Sequence, residues 1–195
     1  SYLSNKENIN TKIPYKTPVC IPDTDKICKV PEWEKLCITS LSISSSYPTN
    51  NAEHIENASC LDAFSGSGAL SFEALSRGAK HVLGFEKNKE VFNALQDNKI
   101  RLNIENFEVI QQDFFRWCPP NIHFNLIFLD PPFHQNILLN ALEKLLMDQL
   151  LAPNAYIYFE AEKKFDSNQI TSNFKIIKNK TAGQVQYGLL QLKQE

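Results

Sequence analysis

In the second part of the chain, short runs of consecutive apolar residues alternate with longer segments in which apolar residues recur every three or four positions. The short runs predict strands, and five of them follow one another as SCLDA, HVLGFE, FEVIQQ, FNLIFLD and AYIYFEA. The segments between them predict three helices, namely ALSFEALSRG, NKEVFNALQDNKIRLN and NILLNALEKLLMDQLL. The first helix should end at Gly78, which suits a C-terminal cap, and the second should carry Val91, Phe92, Leu95 and Ile100 near one face.

The final segment, FKIIKNKTAGQVQYGLLQL, predicts two strands joined by a turn near Ala182 and Gly183. Strands that alternate with helices indicate parallel βαβ units, and a nearly continuous apolar strand such as FNLIFL is typical of a sheet buried on both faces. The expected fold class is therefore α/β, with a doubly wound, mostly parallel sheet of seven strands that closes in an antiparallel hairpin. Residues 1–57 are rich in Ser, Asn, Pro and Thr with weak periodicity, so we expect an irregular N-terminal extension before a domain over residues 58–195.

Composition and charge narrow the functional classes only modestly. The 195 residues are 43% hydrophobic, and no apolar run approaches the roughly 20 residues of a membrane span. SYLSNKENIN also lacks the apolar core of a secretory signal, so we expect a cytoplasmic protein. The formal net charge of −2 argues mildly against a dedicated nucleic-acid binder but is compatible with a local basic patch. Five cysteines without C-x-x-C spacing favour reduced thiols over a metal site.

The loop after the first predicted strand, DAFSGSGALSFEA, has the character of a ligand-binding turn. Gly66 and Gly68 allow a sharp turn and a close approach of the backbone to a ligand, and the following helix begins with free N–H groups. A dinucleotide, a phosphate and another nucleotide-like cofactor are all candidates, as is a simple tight turn. The G-x-G-x-x-G fingerprint would need a third glycine at Ser71, which weakens the dinucleotide interpretation.

Four acidic residues stand at or just past the ends of consecutive predicted strands: Asp62, Glu86, Asp113 and Asp130. In a doubly wound sheet, ligands bind at the carboxyl ends of the strands, so these residues should share one rim. Glu86 lies 20 residues past Gly66, the spacing expected of a carboxylate that accepts hydrogen bonds from ribose hydroxyls.

Asp113 precedes two phenylalanines. Its carboxylate is suited to accept from an adenine amino group, and Phe114 or Phe115 to pack against the purine. The alternative is a helix N-cap, and the two roles are compatible.

The second informative stretch is FLDPPFHQN, Phe128 to Asn136. Pro131 and Pro132 stiffen the backbone directly after a buried strand, and Pro131 keeps Asp130 out of helical geometry. The Asp130 carboxylate and a proline carbonyl can each accept one N–H from a planar substrate with an amino group. Phe133 can stack on that substrate's ring. A proline-stiffened turn with a buried Phe133 is the alternative.

These motifs together resemble a known family. DAFSGSGALSFEALSRGA, FEKN, QQD, DPPF and the tail KTAGQVQYGLLQL are similar to class I S-adenosylmethionine-dependent methyltransferases, and more narrowly to the bacterial enzymes that methylate N2 of guanine 966 in 16S ribosomal RNA. The resemblance covers roughly residues 58–193. It implies that 16S rRNA in the small ribosomal subunit, or an assembly intermediate, is the partner, and that no metal takes part.

Carried onto this chain, the resemblance implies two sets of site residues. The cofactor S-adenosyl-L-methionine would be held by Asp62, Phe64, Ser65, Gly66, Gly68, Glu86, Lys87, Asp113 and Phe114. The flipped guanine would be received by the catalytic loop of Asp130, Pro131, Pro132 and Phe133.

The N-terminal part departs from that family. Its members usually begin with an arginine-containing, β-rich segment and then R-P-T with a helix, whereas residues 1–57 here contain no arginine. Three rival interpretations stay open from the sequence: an NAD-dependent oxidoreductase, a methyltransferase that acts on adenine or glutamine, and a non-catalytic module that binds RNA or protein. The Asp in D-P-P favours guanine, since enzymes of the second kind usually carry Asn in that position.

Overall fold

A computed structural model describes residues 55–132 and 136–194 of the chain. These residues form one seven-stranded mixed sheet with the strand order β3-β2-β1-β4-β5-β7-β6. The strands are β1 Ser59–Asp62, β2 His81–Phe85, β3 Phe107–Ile110, β4 Phe124–Leu129, β5 Leu151–Glu162, β6 Phe174–Ala182 and β7 Val185–Leu192. The predicted extension over residues 1–57 lies outside the described residues up to position 54.

Within the described ranges, three α-helices connect the parallel strands. They are α1 Ala69–Ser76, α2 Lys89–Arg101 and α3 Ile137–Met147, and two short 3₁₀ helices cover Phe114–Arg116 and Ser167–Ile170. None of these helices has the length and apolar content that a membrane span requires.

Strands β1 to β5 run parallel, and β7 and then β6 add antiparallel pairs at one side. The predicted doubly wound α/β sheet with a closing hairpin is therefore confirmed. The hairpin turn falls where it was predicted, because Ala182 ends β6 and Gly183 has a positive φ of 60°. A left-handed turn residue of this kind suits a short hairpin loop.

The sheet is buried on both faces, as its continuously apolar strands predict. One apolar cluster lies on the face that carries α3, with Ile127, Phe159 and Leu142 among its fully or nearly buried members. The other lies on the face that carries α1 and α2, with Phe72 and Leu95 among its members.

Two details of the predicted helices are wrong. Ile100 was expected on the buried face of α2, but it is 76% exposed. It lies five positions after Leu95, about 140° away around the helix, and so points off the apolar stripe. The third helix was expected to continue through Leu151, but it ends at Met147. Gln149 adopts a positive φ of 54°, which breaks the helix and lets Leu151 begin β5.

Candidate active site at the carboxyl edge of the sheet

The strand order reverses direction between β1 and β4. The chain winds outward from β1 to β2 and β3, and then returns to place β4 on the other side of β1. Crevices form at such a switch point, outside the carboxyl ends of the strands. Asp62 is the last residue of β1 and Asp130 directly follows β4, so both carboxylates lie at this crevice.

Asp62 fastens the glycine loop to the start of α1. One carboxylate oxygen accepts a hydrogen bond of 2.5 Å from the Ser71 hydroxyl, and the other accepts one of 3.3 Å from the Phe64 backbone N–H. Burial, with a smaller contribution from the charges of Asp130 and Glu86, raises the pKa of Asp62 to about 7, although the two hydrogen bonds act to lower it. Asp62 thus stabilises the conformation of the loop, and it lies close enough to Asp130 and Glu86 to interact electrostatically with both.

The glycine loop turns through left-handed backbone. Gly66 has φ of 51° and Gly68 has φ of 81°, so both positions favour glycine. A Cβ on Gly68 would lie 2.5 Å from Leu95 and 2.8 Å from Phe72. The missing side chain at Gly68 therefore makes room for core side chains, a role that the sequence alone did not indicate.

The Glu86 carboxylate holds the loop from the β2 side. It accepts hydrogen bonds from the backbone N–H of Gly66 at 3.1 Å and of Asn88 at 2.7 Å. Only 3% of Glu86 is exposed, and this burial raises its pKa, while the two backbone hydrogen bonds lower it. A carboxylate has about four acceptor sites, so Glu86 keeps capacity for hydroxyl donors of a ligand.

A cavity of about 380 Å³ opens beside this carboxylate. It is lined by most of the residues that the resemblance implied for the cofactor, together with others: Ala63, Phe64, Phe85, Glu86, Lys87, Gln112, Asp113, Phe114, Phe115, Pro132 and Ile137. Five of the nine predicted cofactor residues, which follow β1, β2 and β3, are thus brought to one place. Asp62 at the end of β1 and Ser65, Gly66 and Gly68 of the glycine loop are not part of the lining.

Asp113 and its neighbours form one wall of this cavity. The Asp113 carboxylate accepts from the Phe115 N–H at 3.0 Å and so caps the 3₁₀ helix, and its other oxygen lies 4.0 Å from the Lys87 amine. Phe114 is only 1% exposed and packs edge-to-face on Phe85 with ring centroids 5.6 Å apart. Phe115 is 38% exposed, so it is the more accessible of the two rings.

The proline loop after β4 separates this cavity from a second one. Pro131 and Pro132 are buried, and Asp130 is half-buried. The second cavity measures about 950 Å³ and is lined by Pro131, Pro132, Asn136, Leu138, Glu160, Ala161, Glu162, Lys164, Phe165, Asp166 and Gln169. Phe133, predicted to stack on the substrate, lies outside the described residues.

Pro132 borders both cavities. The cavity beside Glu86 and the cavity beside Glu160 therefore lie on either side of the same proline loop.

Three features of this edge were missed from the sequence. Ser71 was considered only as a missing glycine, yet it is fully buried and donates to Asp62. Gly84 in β2 faces the loop, since a Cβ there would contact the Ser65 hydroxyl oxygen and lie 2.8 Å from Phe107. Glu160 at the end of β5 is fully buried, and it accepts a hydrogen bond of 2.9 Å from the Tyr158 hydroxyl. The position of Glu160 near the end of the fifth parallel strand is the signal that would have found it.

The described residues contain no group of three or more His, Cys, Asp or Glu side chains placed to hold a metal ion.

The seven-stranded order with its antiparallel closing pair, and the site at the carboxyl edge, define a class I methyltransferase fold. A provisionally named methyltransferase, yhhF from Escherichia coli, has the same fold, with 34% identity and a TM-score of 0.67 over 71% of this chain and 77% of that one. The chain belongs to the family described as conserved hypothetical protein 95, whose model matches residues 42–191.

Curated relatives carry a more specific name. The ribosomal RNA small subunit methyltransferase D of Haemophilus influenzae is 44% identical over 144 residues, which are 71% of this chain and 74% of that protein. The protein of the same name from Escherichia coli strain K12 is 35% identical over 138 residues, 70% of each chain.

Proposed function

We propose that this protein transfers a methyl group from S-adenosyl-L-methionine to the exocyclic N2 of a guanine in 16S rRNA of the small ribosomal subunit. The observation that carries the proposal is that Pro132 of the D-P-P loop lines both cavities, one of which bears the residues suited to a nucleoside. The family relationship supports the reaction class, because relatives at 35–44% identity are named as small-subunit rRNA methyltransferases. Such a substrate belongs to the cytoplasm.

The residues present fit S-adenosyl-L-methionine. Glu86 keeps acceptor capacity for ribose hydroxyls, and Asp113 lines the far wall with an oxygen beside Lys87. Phe115 offers an exposed ring for the purine, and Phe114 supports it from the core, with ring centroids 5.8 Å apart. The loop from Asp62 to Gly68 would hold the methionine end.

The substrate amine is held by the proline loop in this proposal. The cofactor supplies a methyl group already activated by its sulfonium, so the protein contributes mainly by positioning the amine in line with it. Positioning of this kind lowers a barrier by about 7–11 kcal/mol in favourable cases. The Asp130 carboxylate and a proline carbonyl accept the two N–H groups of the guanine amine, which aims its lone pair at the methyl group.

Asp130 also acts on the charge that develops during transfer. Positive charge grows on the amine nitrogen, and a carboxylate beside it stabilises that charge. We assign the final loss of the proton to water. A guanine reaches this loop only after it leaves its stack, and a ring at Phe133 would then hold it by stacking worth roughly 1–3 kcal/mol.

The test is methyl transfer from labelled S-adenosyl-L-methionine to small ribosomal subunits from cells that lack the endogenous enzyme. The modified nucleoside is identified by mass spectrometry after digestion of the rRNA. We expect N2-methylguanosine. Methylation at another base, or on a ribosomal protein, would refute the proposed substrate, and absence of cofactor binding would refute the proposed reaction.

A further inference from the structure

Basic residues are concentrated in the last part of the chain. Of the lysines there, only Lys164 lines one of the two cavities described above. Residues 163–194 contain six lysines and one acidic residue, Asp166, so this segment carries +5 while the whole chain carries −2. The remainder of the chain therefore carries −7. The six lysines are Lys163, Lys164, Lys175, Lys178, Lys180 and Lys193.

Three of these lysines lie on one face of the edge strand β6. Lys175 pairs with Gln191, Lys178 with Leu189 and Lys180 with Tyr187 in the adjacent β7. Directly opposed residues point to the same side of a sheet, and alternate residues of β7 point to the same side. The three lysines thus share the sheet face of residues 187, 189 and 191.

A β-bulge produces this alignment. In a regular strand, positions 175 and 178 would point to opposite faces, because the side-chain period is two. The register of β6 shifts between Ile176 and Lys178, so that one residue of β6 has no direct partner in β7. A bulge of this type re-aims the side chains beyond it.

The aligned lysines lead toward the site. Tyr187 pairs with Lys180 on one side and with Glu160 on the other, so these three residues form one row across the sheet. Glu160 directly follows Phe159, the partner of Leu129, and Asp130 directly follows Leu129. Lys180 therefore lies at the carboxyl edge with the proline loop, while Lys175 lies farther down the same face.

We infer that the β6 face bearing Lys175, Lys178 and Lys180 is a contact surface for the sugar-phosphate backbone of the RNA substrate. The inference rests on the proposed function. Charge complementarity selects the partner, because the segment that contains these lysines carries +5 whereas the remainder of the chain carries −7, and a positively charged surface favours a polyanion. Lysines on an edge strand also prevent strand-to-strand association, but that role does not require them on a single face.

The test compares two double variants with matched loss of charge. Lys175→Gln/Lys180→Gln removes the two exposed lysines of the face. Lys80→Gln/Arg101→Gln removes two exposed cations at the opposite edge, since Lys80 precedes β2 and Arg101 ends α2. For each protein, kcat/KM for methyl transfer to small subunits is measured between about 50 and 200 mM KCl. The affinity for 16S rRNA is measured by fluorescence anisotropy at the same salt concentrations.

We expect the β6 variant to show a shallower salt dependence than the wild type. Each lost phosphate contact lowers the slope of log K against log salt by about 0.7–0.9, so two contacts lower it by about 1.4–1.8. The ratio of the wild-type affinity for 16S rRNA to that of the β6 variant should then fall about 7- to 12-fold between 50 and 200 mM KCl. The control variant should keep the wild-type slope, and both variants should bind S-adenosylhomocysteine as the wild type does.

The inference is overturned if the β6 variant has the same salt dependence as the wild type, or if the salt dependence becomes shallower by the same amount in both variants. Failure of the proposed function gives a different result. In that case the wild type itself transfers no methyl group to rRNA, and the anisotropy slopes still decide whether the β6 face contacts RNA.

Discussion

Asp62 is held in surroundings that favour its neutral form. Its pKa of about 7 lies well above the ordinary value of 3.8, mainly because the carboxylate is buried. Between these two values the folded state binds a proton that the unfolded state has released, so stability falls as the pH rises through this window and levels off above it. From pH 5 to 8 this group alone should reduce the free energy of unfolding by about 2–3 kcal/mol.

The measurement is urea unfolding of the wild type and of Asp62→Asn at pH 5 and pH 8. Asn keeps the shape and an acceptor for the Ser71 hydroxyl but does not titrate. The difference in unfolding free energy between the two proteins isolates this residue from all other titrating groups. Parallel changes of the two proteins with pH would contradict the assigned shift.

Substitutions of Asp130 and of Glu86 should affect different quantities, the first the rate of methyl transfer and the second the affinity for the cofactor. Asp130→Ala removes the acceptor for the substrate amine in the proposed mechanism, and loss of one such transition-state contact costs about 10²–10³ in rate. We expect the rate of methyl transfer to fall by at least that factor while S-adenosylhomocysteine still binds, as measured by isothermal titration calorimetry.

Glu86→Ala should mainly weaken the binding of S-adenosylhomocysteine, measured in the same way. Full activity of Asp130→Ala would remove Asp130 from the catalytic role, and unchanged affinity of Glu86→Ala would remove Glu86 from the ribose site.

At the scale of elements, Gly84 connects β2 to the glycine loop. A Cβ at this position would press on Ser65 of the loop and on Phe107 of β3, and overpacking of this kind costs typically 1–3 kcal/mol. We expect Gly84→Ala to lower both the midpoint of urea unfolding and the affinity for S-adenosylhomocysteine. Gly78→Ala is the control, because its Cβ would meet nothing closer than 3.5 Å and its cost comes only from a φ of 90°. The control should lose stability and keep its affinity, and a Gly84→Ala protein with intact affinity would contradict the role of Gly84.

The helices and strands, and their order along the chain, could be predicted from the sequence. Each parallel strand is a short apolar run, and the acidic residue after it marks the carboxyl edge, so Asp62, Glu86 and Asp130 could be placed at one rim without a structure. The end of α3 was missed because Gln149 adopts the left-handed conformation there, whereas the residue that usually ends a helix in this way is Gly or Asn. The sequence also could not reveal the bulge at β6, since register depends on the partner strand and not on the strand itself.

The finer geometry of the site depends on contacts between distant segments. Ser71 reaches Asp62 across nine positions, and Glu86 reaches Gly66 across twenty. Such contacts follow from the way α1 packs on the sheet, which periodicity alone does not specify. The resemblance to a family predicts a set of site residues, and the structure shows that two of them, Asp62 and Glu86, hold the glycine loop itself.

For the whole molecule, the glycine loop, β2 and the 3₁₀ helix after β3 should respond to the cofactor as one unit, because all three line or hold the cavity of about 380 Å³. A ligand that binds only the folded state stabilises it by about 2.7 kcal/mol at one hundred times its Kd. For a domain of this size, that corresponds to an increase in Tm of roughly 5–11 °C. We expect S-adenosylhomocysteine to produce such an increase in a thermal unfolding experiment, and NAD at the same concentration to produce none. Ser71 supports this expectation, since the third glycine of a dinucleotide fingerprint is replaced by a buried hydroxyl bonded to Asp62. An equal shift with NAD would revive the oxidoreductase interpretation. No shift with S-adenosylhomocysteine at any concentration would leave a methyltransferase fold without its cofactor, and the non-catalytic interpretation would then be favoured.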